Sequence, residues 1–197
     1  MEIILATHNL DKCKELQESL SDSEIKILTL KDFPDISEII EDGLSLEENA
    51  FIKSRTVFNI TKIPTISDDT GLFVDALNGA PGIYSARYAG EKCSYTDNVN
   101  KLLFDMKNID EKLRTASFKT IVTFVSQDLE LVAEGSVKGI ITRKTHGNKG
   151  FGYDPIFYVL NGNKTFAEMN VNEKQRCSHR GNAIANLKKL FKEHNIL

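Results

Sequence analysis

Two adjacent carboxylates, Asp68 and Asp69, are the side chains of this chain best suited to catalysis. They follow an apolar segment and precede Thr70 and Gly71, so the sequence predicts that they lie where a strand ends and the backbone turns. Because side chains alternate in direction along an extended chain, one carboxylate would reach a metal ion or a water molecule while the other fixes the turn. Mg²⁺ prefers one or two carboxylates together with phosphate oxygens and water, so the pair favours phosphate-ester chemistry. Taken alone, the segment is also compatible with a solvated Asp-Asp turn.

The loop formed by residues 7–12 (THNLDK) has the features of an anion site. It lies between a short apolar segment, predicted to be a strand, and a predicted helix. Unpaired amides at a helix N-terminus and the helix dipole favour phosphate. Thr7 and Asn9 can donate side-chain hydrogen bonds, and Lys12 adds a compact positive charge. The chain contains no GxxxxGK[ST] motif, so this loop is not a P-loop.

A second metal ligand is predicted at Glu41, at the end of the acidic segment 32–43. Magnesium sites commonly use two carboxylates and leave the remaining positions to phosphate and water. Spacing alone does not exclude three neighbouring acids, which are Glu38, Asp42 and Glu47.

The next helix is predicted to begin at Ser45 and to end near Lys62, before Pro64. Ser45 and Glu48 have the spacing of a capping box, in which each side chain binds the other residue's amide. Lys53 lies about two turns into this helix and faces the same side as Asn49. A solvated surface lysine is the alternative for Lys53.

Residues 150–155 (GFGYDP) predict a loop that binds a flat ligand. The glycines on both sides of Phe151 let the face of a base approach the ring, and stacking of this kind suits any base. Asp154 could add a hydrogen-bond acceptor that provides selectivity. A loop phenylalanine buried in the core is the alternative.

Basic side chains are grouped near the start of the last predicted helix. A 6-oxopurine presents the acceptors O6 and N7, which His179 and Arg180 could read, with Lys174 nearby. Adenine has a donor at position 6, so donors at this place would reject it. The alternative is a helix that Ser178 caps, with solvated basic side chains.

Composition restricts the broad class of protein. The chain has 197 residues, 41% of them hydrophobic, and a formal net charge of -3, which argues against a general binder of polymeric nucleic acid. Its first residues, MEIILATHN, lack the pattern of a secretory signal, and no apolar run has the length of a membrane span. We therefore expect a cytoplasmic protein without membrane contact. Three widely spaced cysteines, in no metal-binding pattern, agree with a reducing compartment: Cys13, Cys93 and Cys177.

Hydrophobic periodicity predicts strands and helices that alternate irregularly. Residues 118–125 and 129–141 form a predicted hairpin around Gln127 and Asp128. A long hairpin within an alternating pattern indicates a mixed α/β sheet and not a purely parallel one. We expect a single domain over residues 1–197, with a second lobe at about 75–165.

Several segments match the pattern of one family in order and spacing over nearly the whole chain. They are residues 7–12 (THNLDK), 48–50 (ENA), 68–72 (DDTGL), 79–88 (GAPGIYSARY), 151–155 (FGYDP), 165–168 (TFAE), 173–174 (EK) and 178–181 (SHRG). The chain resembles the inosine triphosphatase family, also called noncanonical purine NTP pyrophosphatases or Ham1-like proteins. The GAPG-YSARY and SHRG blocks are the most specific parts of the resemblance.

The resemblance implies an α/β fold with a mixed, elongated central sheet, flanking helices and two lobes around a cleft. It implies a magnesium-dependent enzyme, usually a homodimer. Such an enzyme hydrolyses ITP, dITP and XTP to the monophosphate and pyrophosphate, and so removes damaged purines from the nucleotide pool.

The resemblance also implies a role for individual residues. Asp69 is the proton acceptor and a magnesium ligand, Glu41 is the second ligand, and Lys12 and Lys53 act on the phosphates. The implied phosphate contacts are Thr7, His8, Asn9, Leu10, Asp11, Lys12 and Thr70. The implied base pocket is Phe151, Gly152, Tyr153, Asp154, Lys174, His179 and Arg180. His8 replaces a common glycine and Thr70 replaces the usual serine, but neither change removes a catalytic group.

Two other functions remain compatible with these residues. One is a nucleotide-binding module without catalysis, which would keep the base-binding side chains but lack a working metal site. The other is a pyrophosphatase for a different nucleotide, similar to Maf-like enzymes that act on modified pyrimidines.

Overall fold

The computed structural model describes residues 1–21 and 25–196. The chain divides into two compact units. The first consists of Met1–Asp69, Thr120–Gly135 and Arg180–Leu197, and the second of Thr70–Lys119 and Ser136–His179. The second unit is therefore built from two separate segments, whereas the predicted second lobe at about 75–165 is continuous.

Strands and helices alternate irregularly along the chain, as predicted. The strands of the described residues are β1 (Glu2–Leu5), β2 (Lys26–Thr29), β3 (Thr65–Val74), β4 (Pro81–Gly82), β5 (Thr115–Val125), β6 (Glu130–Ile141), β7 (Phe157–Val159) and β8 (Lys164–Thr165). The α-helices are α1 (Leu10–Leu20), α2 (Leu46–Thr61), α3 (Tyr95–Asp105), α4 (Val171–Cys177) and α5 (His179–Glu193).

The strands form one mixed sheet, which confirms the predicted fold class. Their order is β2-β1-β3-β5-β6-β7-β8, and β4 pairs with β3. The β1 strand is parallel to β2 and β3, while the β3/β4, β6/β7 and β7/β8 pairs are antiparallel. No helix within the described ranges has the length and apolarity that a bilayer span requires.

The predicted end of a strand before Asp68 is wrong. Both aspartates lie inside β3, which continues without interruption from Thr65 to Val74. The strand stays extended because β5 is its neighbour and because its pairing passes from β1 at Ile66 to β4 at Leu72. Non-local pairing of this kind overrides the local preference of Asp and Gly for turns.

Gly71 serves close packing in this strand and not a turn. A Cβ atom at this position would lie 2.7 Å from the carbonyl oxygen of Gly82 and 2.8 Å from the Phe73 ring. We therefore expect Gly71→Ala to lower the free energy of unfolding by about 1–3 kcal/mol, measured by urea denaturation.

Gly162→Ala is the matched control for this substitution. Its added Cβ would also have a neighbour at 2.8 Å, but that neighbour is the flexible end of Met169. Equal losses of stability in the two variants would contradict the role given to Gly71.

Each unit has its own apolar core. In the first unit, α1 and α5 pack on the sheet through Leu16, Leu20, Leu187 and Phe191. In the second unit, the rings of Phe118, Phe157 and Phe166 form a cluster with centroids 4.7–6.1 Å apart. These cores fix the strands that carry the polar residues described next.

Candidate active site

Asp69 is the centre of a buried, charged cluster in the first unit. Asp69 is 8% exposed, and its Oδ1 lies 3.9 Å from Lys12 Nζ and 3.9 Å from Lys53 Nζ. Asn49 donates from Nδ2 to Asp69 Oδ2 over 3.4 Å. The structure thus brings together Asp69, Lys12 and Lys53, the three residues for which the resemblance implies roles in catalysis, although they are far apart in the chain.

Asp68, the neighbouring carboxylate, is engaged in a different set of contacts. It is fully buried, and its Oδ2 accepts hydrogen bonds from Arg180 Nε at 3.1 Å and from Arg180 Nη2 at 3.0 Å. Lys12 Nζ lies 3.5 Å from the same oxygen. Arg180 also donates through Nη1 to Glu15 and is only 2% exposed. Asp68 is therefore held by two cations, and Lys12 lies against both aspartates.

The two carboxylates differ in pKa because their partners differ. Burial raises the pKa of Asp69, and the nearby Lys12 and Lys53 offset this only in part. Burial would also raise the pKa of Asp68, but Lys12 and Arg180 outweigh it and hold the pKa of Asp68 well below its usual range. Asp69 is consequently the better proton acceptor, and Asp68 is a fixed negative charge.

The predicted anion loop is partly occupied by its own contacts. Asn9 caps α1, and its Oδ1 accepts hydrogen bonds from the amides of Asp11 at 3.0 Å and Lys12 at 3.1 Å. Thr7 Oγ1 accepts from the Asn9 amide at 3.2 Å. The prediction that these helix amides are available to phosphate is therefore wrong for Asp11 and Lys12, since Asn9 already satisfies them. His8, Leu10 and Asp11 are exposed.

Glu41 approaches the cluster through Lys53. Its Oε2 accepts a hydrogen bond from Lys53 Nζ over 2.7 Å, and its negative charge contributes to raising the pKa of Asp69. Ser45 caps α2 as predicted, through Glu48 N at 3.1 Å, but Glu48 binds the Leu44 amide at 2.6 Å instead of the Ser45 amide. The capping box is thus only half formed.

The carboxylates of Asp69 and Glu41, which both lie beside Lys53, are ligands of the kind that a hard divalent cation uses. Asp69 and Glu41 both place a carboxylate oxygen beside the same ammonium group, and oxygen ligands from one or two carboxylates are what magnesium uses when a substrate supplies phosphate. Within residues 1–21 and 25–196, no group of three or more His, Cys, Asp or Glu side chains could hold a metal ion by itself. A cation here would therefore need oxygens from a phosphate or from water.

The predicted base-binding loop forms a compact hydrogen-bonded turn in the second unit. Asp154 Oδ2 accepts from the Phe151 amide at 2.9 Å and from Lys174 Nζ at 2.5 Å. Lys174 Nζ also lies 4.9 Å from the centre of the Phe151 ring, within the range of a cation–π interaction. Gly150 and Gly152 have positive φ angles of 71° and 59°, which the turn requires. Phe151 is half-buried, so the alternative of a core phenylalanine does not describe it.

His179 and Arg180 are neighbours in sequence with separate environments. The His179 ring stacks on Phe118 with centroids 4.4 Å apart and an interplanar angle of 14°, and it is 3% exposed. Arg180 binds Asp68 and Glu15, as described above, so its charge is already neutralised by carboxylates. Their predicted roles in reading a base stay predictions.

Two residues of the first-unit cluster, Glu15 and Asn49, were not predicted from the sequence to contact the site residues. Asn49 is 2% exposed, and it joins Asp69 to the loop after Glu41, since its Oδ1 accepts from the Gly43 amide at 2.9 Å. Its place on the same helix face as Lys53 was the available signal. Glu15 lies one turn after Lys12, but only the fold reveals its pairing with Arg180.

Comparison with known proteins shows the family of this chain. The sequence model described as the Ham1 family matches residues 3–190. The chain belongs to the Ham1 family. The chain is 43% identical over 188 residues to a protein of Thermoanaerobacter pseudethanolicus named dITP/XTP pyrophosphatase, a match that covers 95% of each chain.

Two solved structures of Ham1 proteins have the same fold. The Coxiella burnetii protein is 39% identical, with a TM-score of 0.88, over 98% of this chain and 99% of the other. The Staphylococcus aureus protein is 37% identical, with a TM-score of 0.87, over 98% and 100%. The predicted family and fold class are therefore confirmed.

Proposed function

We propose that this protein hydrolyses noncanonical purine nucleoside triphosphates, namely ITP, dITP and XTP, to the monophosphate and pyrophosphate. The observation that carries the proposal is the placement of two ammonium groups, Lys12 and Lys53, at 3.9 Å from one buried carboxylate oxygen of Asp69. A carboxylate that can act as a general base, with two ammonium groups beside it, suits the hydrolysis of a triphosphate, because the cations stabilise the phosphate charge. The name of the Thermoanaerobacter relative supports the same activity.

In the proposed reaction a water molecule attacks the α-phosphorus. Asp69 accepts a proton from the water as the new P–O bond forms and the bond from the α-phosphorus to the bridging oxygen breaks. Lys12 and Lys53 stabilise the negative charge of the departing pyrophosphate. Asp68 forms an ion pair with Arg180, which keeps its carboxylate ionised. It therefore does not compete with Asp69 for the proton. Most of the rate enhancement would come from positioning and charge, as is typical of phosphoryl transfer.

Magnesium is part of the proposal, with Asp69 and Glu41 as its protein ligands. This part of the proposal is supported by the common neighbour of the two carboxylates: Lys53 Nζ lies 2.7 Å from Glu41 Oε2 and 3.9 Å from Asp69 Oδ1. Two carboxylates would leave positions for phosphate oxygens. When bound, the ion would neutralise phosphate charge and lower the pKa of a coordinated water.

The second unit is proposed to recognise the base. Phe151 would stack on the purine, and the buried Lys174 would donate to an acceptor on the 6-oxo edge. The Phe151 amide and Lys174 Nζ both donate to Asp154 Oδ2. Asp154 therefore positions the proposed hydrogen-bond donor and the proposed stacking ring relative to each other. His179 is assigned to the same pocket by the resemblance.

The test is hydrolysis of ITP, XTP, dATP, dGTP and dTTP side by side with magnesium, with pyrophosphate as the measured product. We expect kcat/KM for ITP and XTP to exceed that for dATP by at least about a hundredfold, because adenine presents a donor to the Lys174 ammonium where hypoxanthine and xanthine present an acceptor. Binding without pyrophosphate release would indicate the non-catalytic module. Preference for dTTP would indicate the Maf-like alternative.

Two further parts of the proposal stay predictions. They are a homodimeric state, which the resemblance implies, and a cytoplasmic location, which the composition and the pattern of the first residues favour. Tyr84 is 52% exposed and could contribute to a subunit surface.

A further inference from the structure

Ser85 connects two segments of the second unit that the proposed function uses separately. It lies in the conspicuous block 79–88 (GAPGIYSARY), to which the proposed reaction assigns no task. Ser85 is 7% exposed, and three hydrogen bonds involve its hydroxyl or its carbonyl. These bonds lead in one direction to β3 and in the other to the base-binding loop.

The hydroxyl of Ser85 holds β3 directly after Thr70. The amide of Leu72 donates to Ser85 Oγ over 2.8 Å, and Ser85 Oγ donates to the carbonyl of Gly82 over 2.6 Å. Gly82 is also the β4 residue that pairs with Leu72. Because the single hydroxyl proton is used on Gly82, Ser85 has no proton to offer a substrate. Its hydroxyl therefore acts on the backbone beside Thr70.

The carbonyl of Ser85 holds the base-binding loop. Tyr153 donates from its hydroxyl to Ser85 O over 2.9 Å, although the two residues are 68 positions apart. Tyr153 is 5% exposed, and burial raises the pKa of its hydroxyl, so the donor stays protonated over the physiological range. The same tyrosine lies between Gly152 and Asp154, inside the turn that presents Phe151.

We infer that Ser85 is a positioning residue that joins the phosphate-contacting end of β3, at Thr70–Leu72, to the base-binding turn through Tyr153. The inference rests on the proposed function, which gives the turn a role in binding the base, and on the resemblance, which implies that Thr70 contacts the phosphates of the same nucleotide. Ser85 sets the position of the base loop relative to the strand that follows Asp69, and it does so without contacting substrate. Each link depends on a different atom of Ser85, so the two links can be broken one at a time.

Tyr153→Phe breaks only the link to the base loop, since it removes the hydroxyl and keeps the ring. We expect KM for ITP and the inhibition constant for IMP to rise about three- to tenfold, as for the loss of one buried hydrogen bond. The inhibition constant for pyrophosphate, which has no base, should stay within about twofold. A purely structural defect would weaken both inhibitors alike, so the two constants separate positioning from general damage.

Tyr158→Phe is the matched control. Tyr158 lies on β7 in the same unit, is half-buried, and its hydroxyl makes no hydrogen bond in the described part of the chain. It should leave KM and both inhibition constants at wild-type values.

Ser85→Ala breaks the other link, because it removes Oγ and keeps the carbonyl that Tyr153 uses. The Leu72 amide would lose its partner beside Thr70, so we expect kcat to fall about tenfold and the pyrophosphate constant to rise more than the IMP constant. Ser85→Cys, with a weaker donor and acceptor, should recover part of the loss. Thermal unfolding of every variant establishes that the folded protein is compared.

The outcomes are distinct. The inference is supported if Tyr153→Phe raises the inhibition constant of IMP more than that of pyrophosphate, while Ser85→Ala raises that of pyrophosphate more than that of IMP. Equal changes in the IMP and pyrophosphate constants for Tyr153→Phe, or values equal to those of Tyr158→Phe, would overturn it while wild-type hydrolysis of ITP still stands. A wild-type protein that releases no pyrophosphate from ITP or XTP would overturn the proposed function, and the inference with it.

Discussion

Asp69→Asn is expected to lower kcat for ITP hydrolysis by about a hundred- to ten-thousandfold, the usual contribution of a positioned general base. The amide cannot accept the proton of the attacking water, and it is a weaker ligand for a divalent cation than the carboxylate it replaces. The measurement is steady-state release of pyrophosphate at saturating ITP and magnesium.

The fold should tolerate this substitution. Asp69 is almost fully buried and its pKa is raised, so burial already disfavours its charged form, and asparagine has the same shape. The circular dichroism spectrum and the unfolding midpoint should therefore remain close to wild type. Asp42→Asn, at an exposed acid beside Glu41, is the control and should keep normal turnover. Near-normal hydrolysis by Asp69→Asn would refute its assignment as the proton acceptor.

The second large effect is expected for stability, at the pair formed by Arg180 and Asp68. Arg180→Met should lower the free energy of unfolding by about 3–5 kcal/mol, because it leaves the fully buried Asp68 carboxylate without its main partner. Lys12, at 3.5 Å from Asp68, would compensate only in part. Urea denaturation of the purified variant measures this loss.

Arg55→Met is the matched control, because Arg55 also binds one carboxylate through two nitrogens. It donates to Glu130 at 2.9 and 2.6 Å, but the pair is exposed. Exposed pairs contribute little, so the loss should be under about 1 kcal/mol. The double variant with Asp68→Asn should recover a large part of the Arg180→Met loss, since it removes the buried Asp68 charge that had lost its partner. Similar losses for Arg180→Met and Arg55→Met would show that burial does not make this pair special.

Local signals in the sequence predicted local structure correctly. The cap of α2 by Ser45 and the hairpin between β5 and β6 depend on residues close together in the chain, and both are present. Helix periodicity predicted that Lys53 and Asn49 share one face of α2, and both lie beside Asp69.

Features that depend on distant residues could not be predicted in this way. Asp68 and Asp69 lie within a strand, and not at its end, because β1, β4 and β5 supply pairing that no local pattern shows. Arg180 and Asp68 are 112 positions apart, so the sequence alone could not predict that they form an ion pair. The resemblance supplied functional roles for these residues, but it did not supply their partners.

The central claim is that water attacks the α-phosphorus of a purine triphosphate held beside Asp69. The most direct measurement is hydrolysis of ITP in water enriched in ¹⁸O, with mass analysis of both products. Attack at the α-phosphorus would leave one ¹⁸O atom in IMP and none in pyrophosphate. Label in pyrophosphate, or release of orthophosphate and IDP, would contradict it.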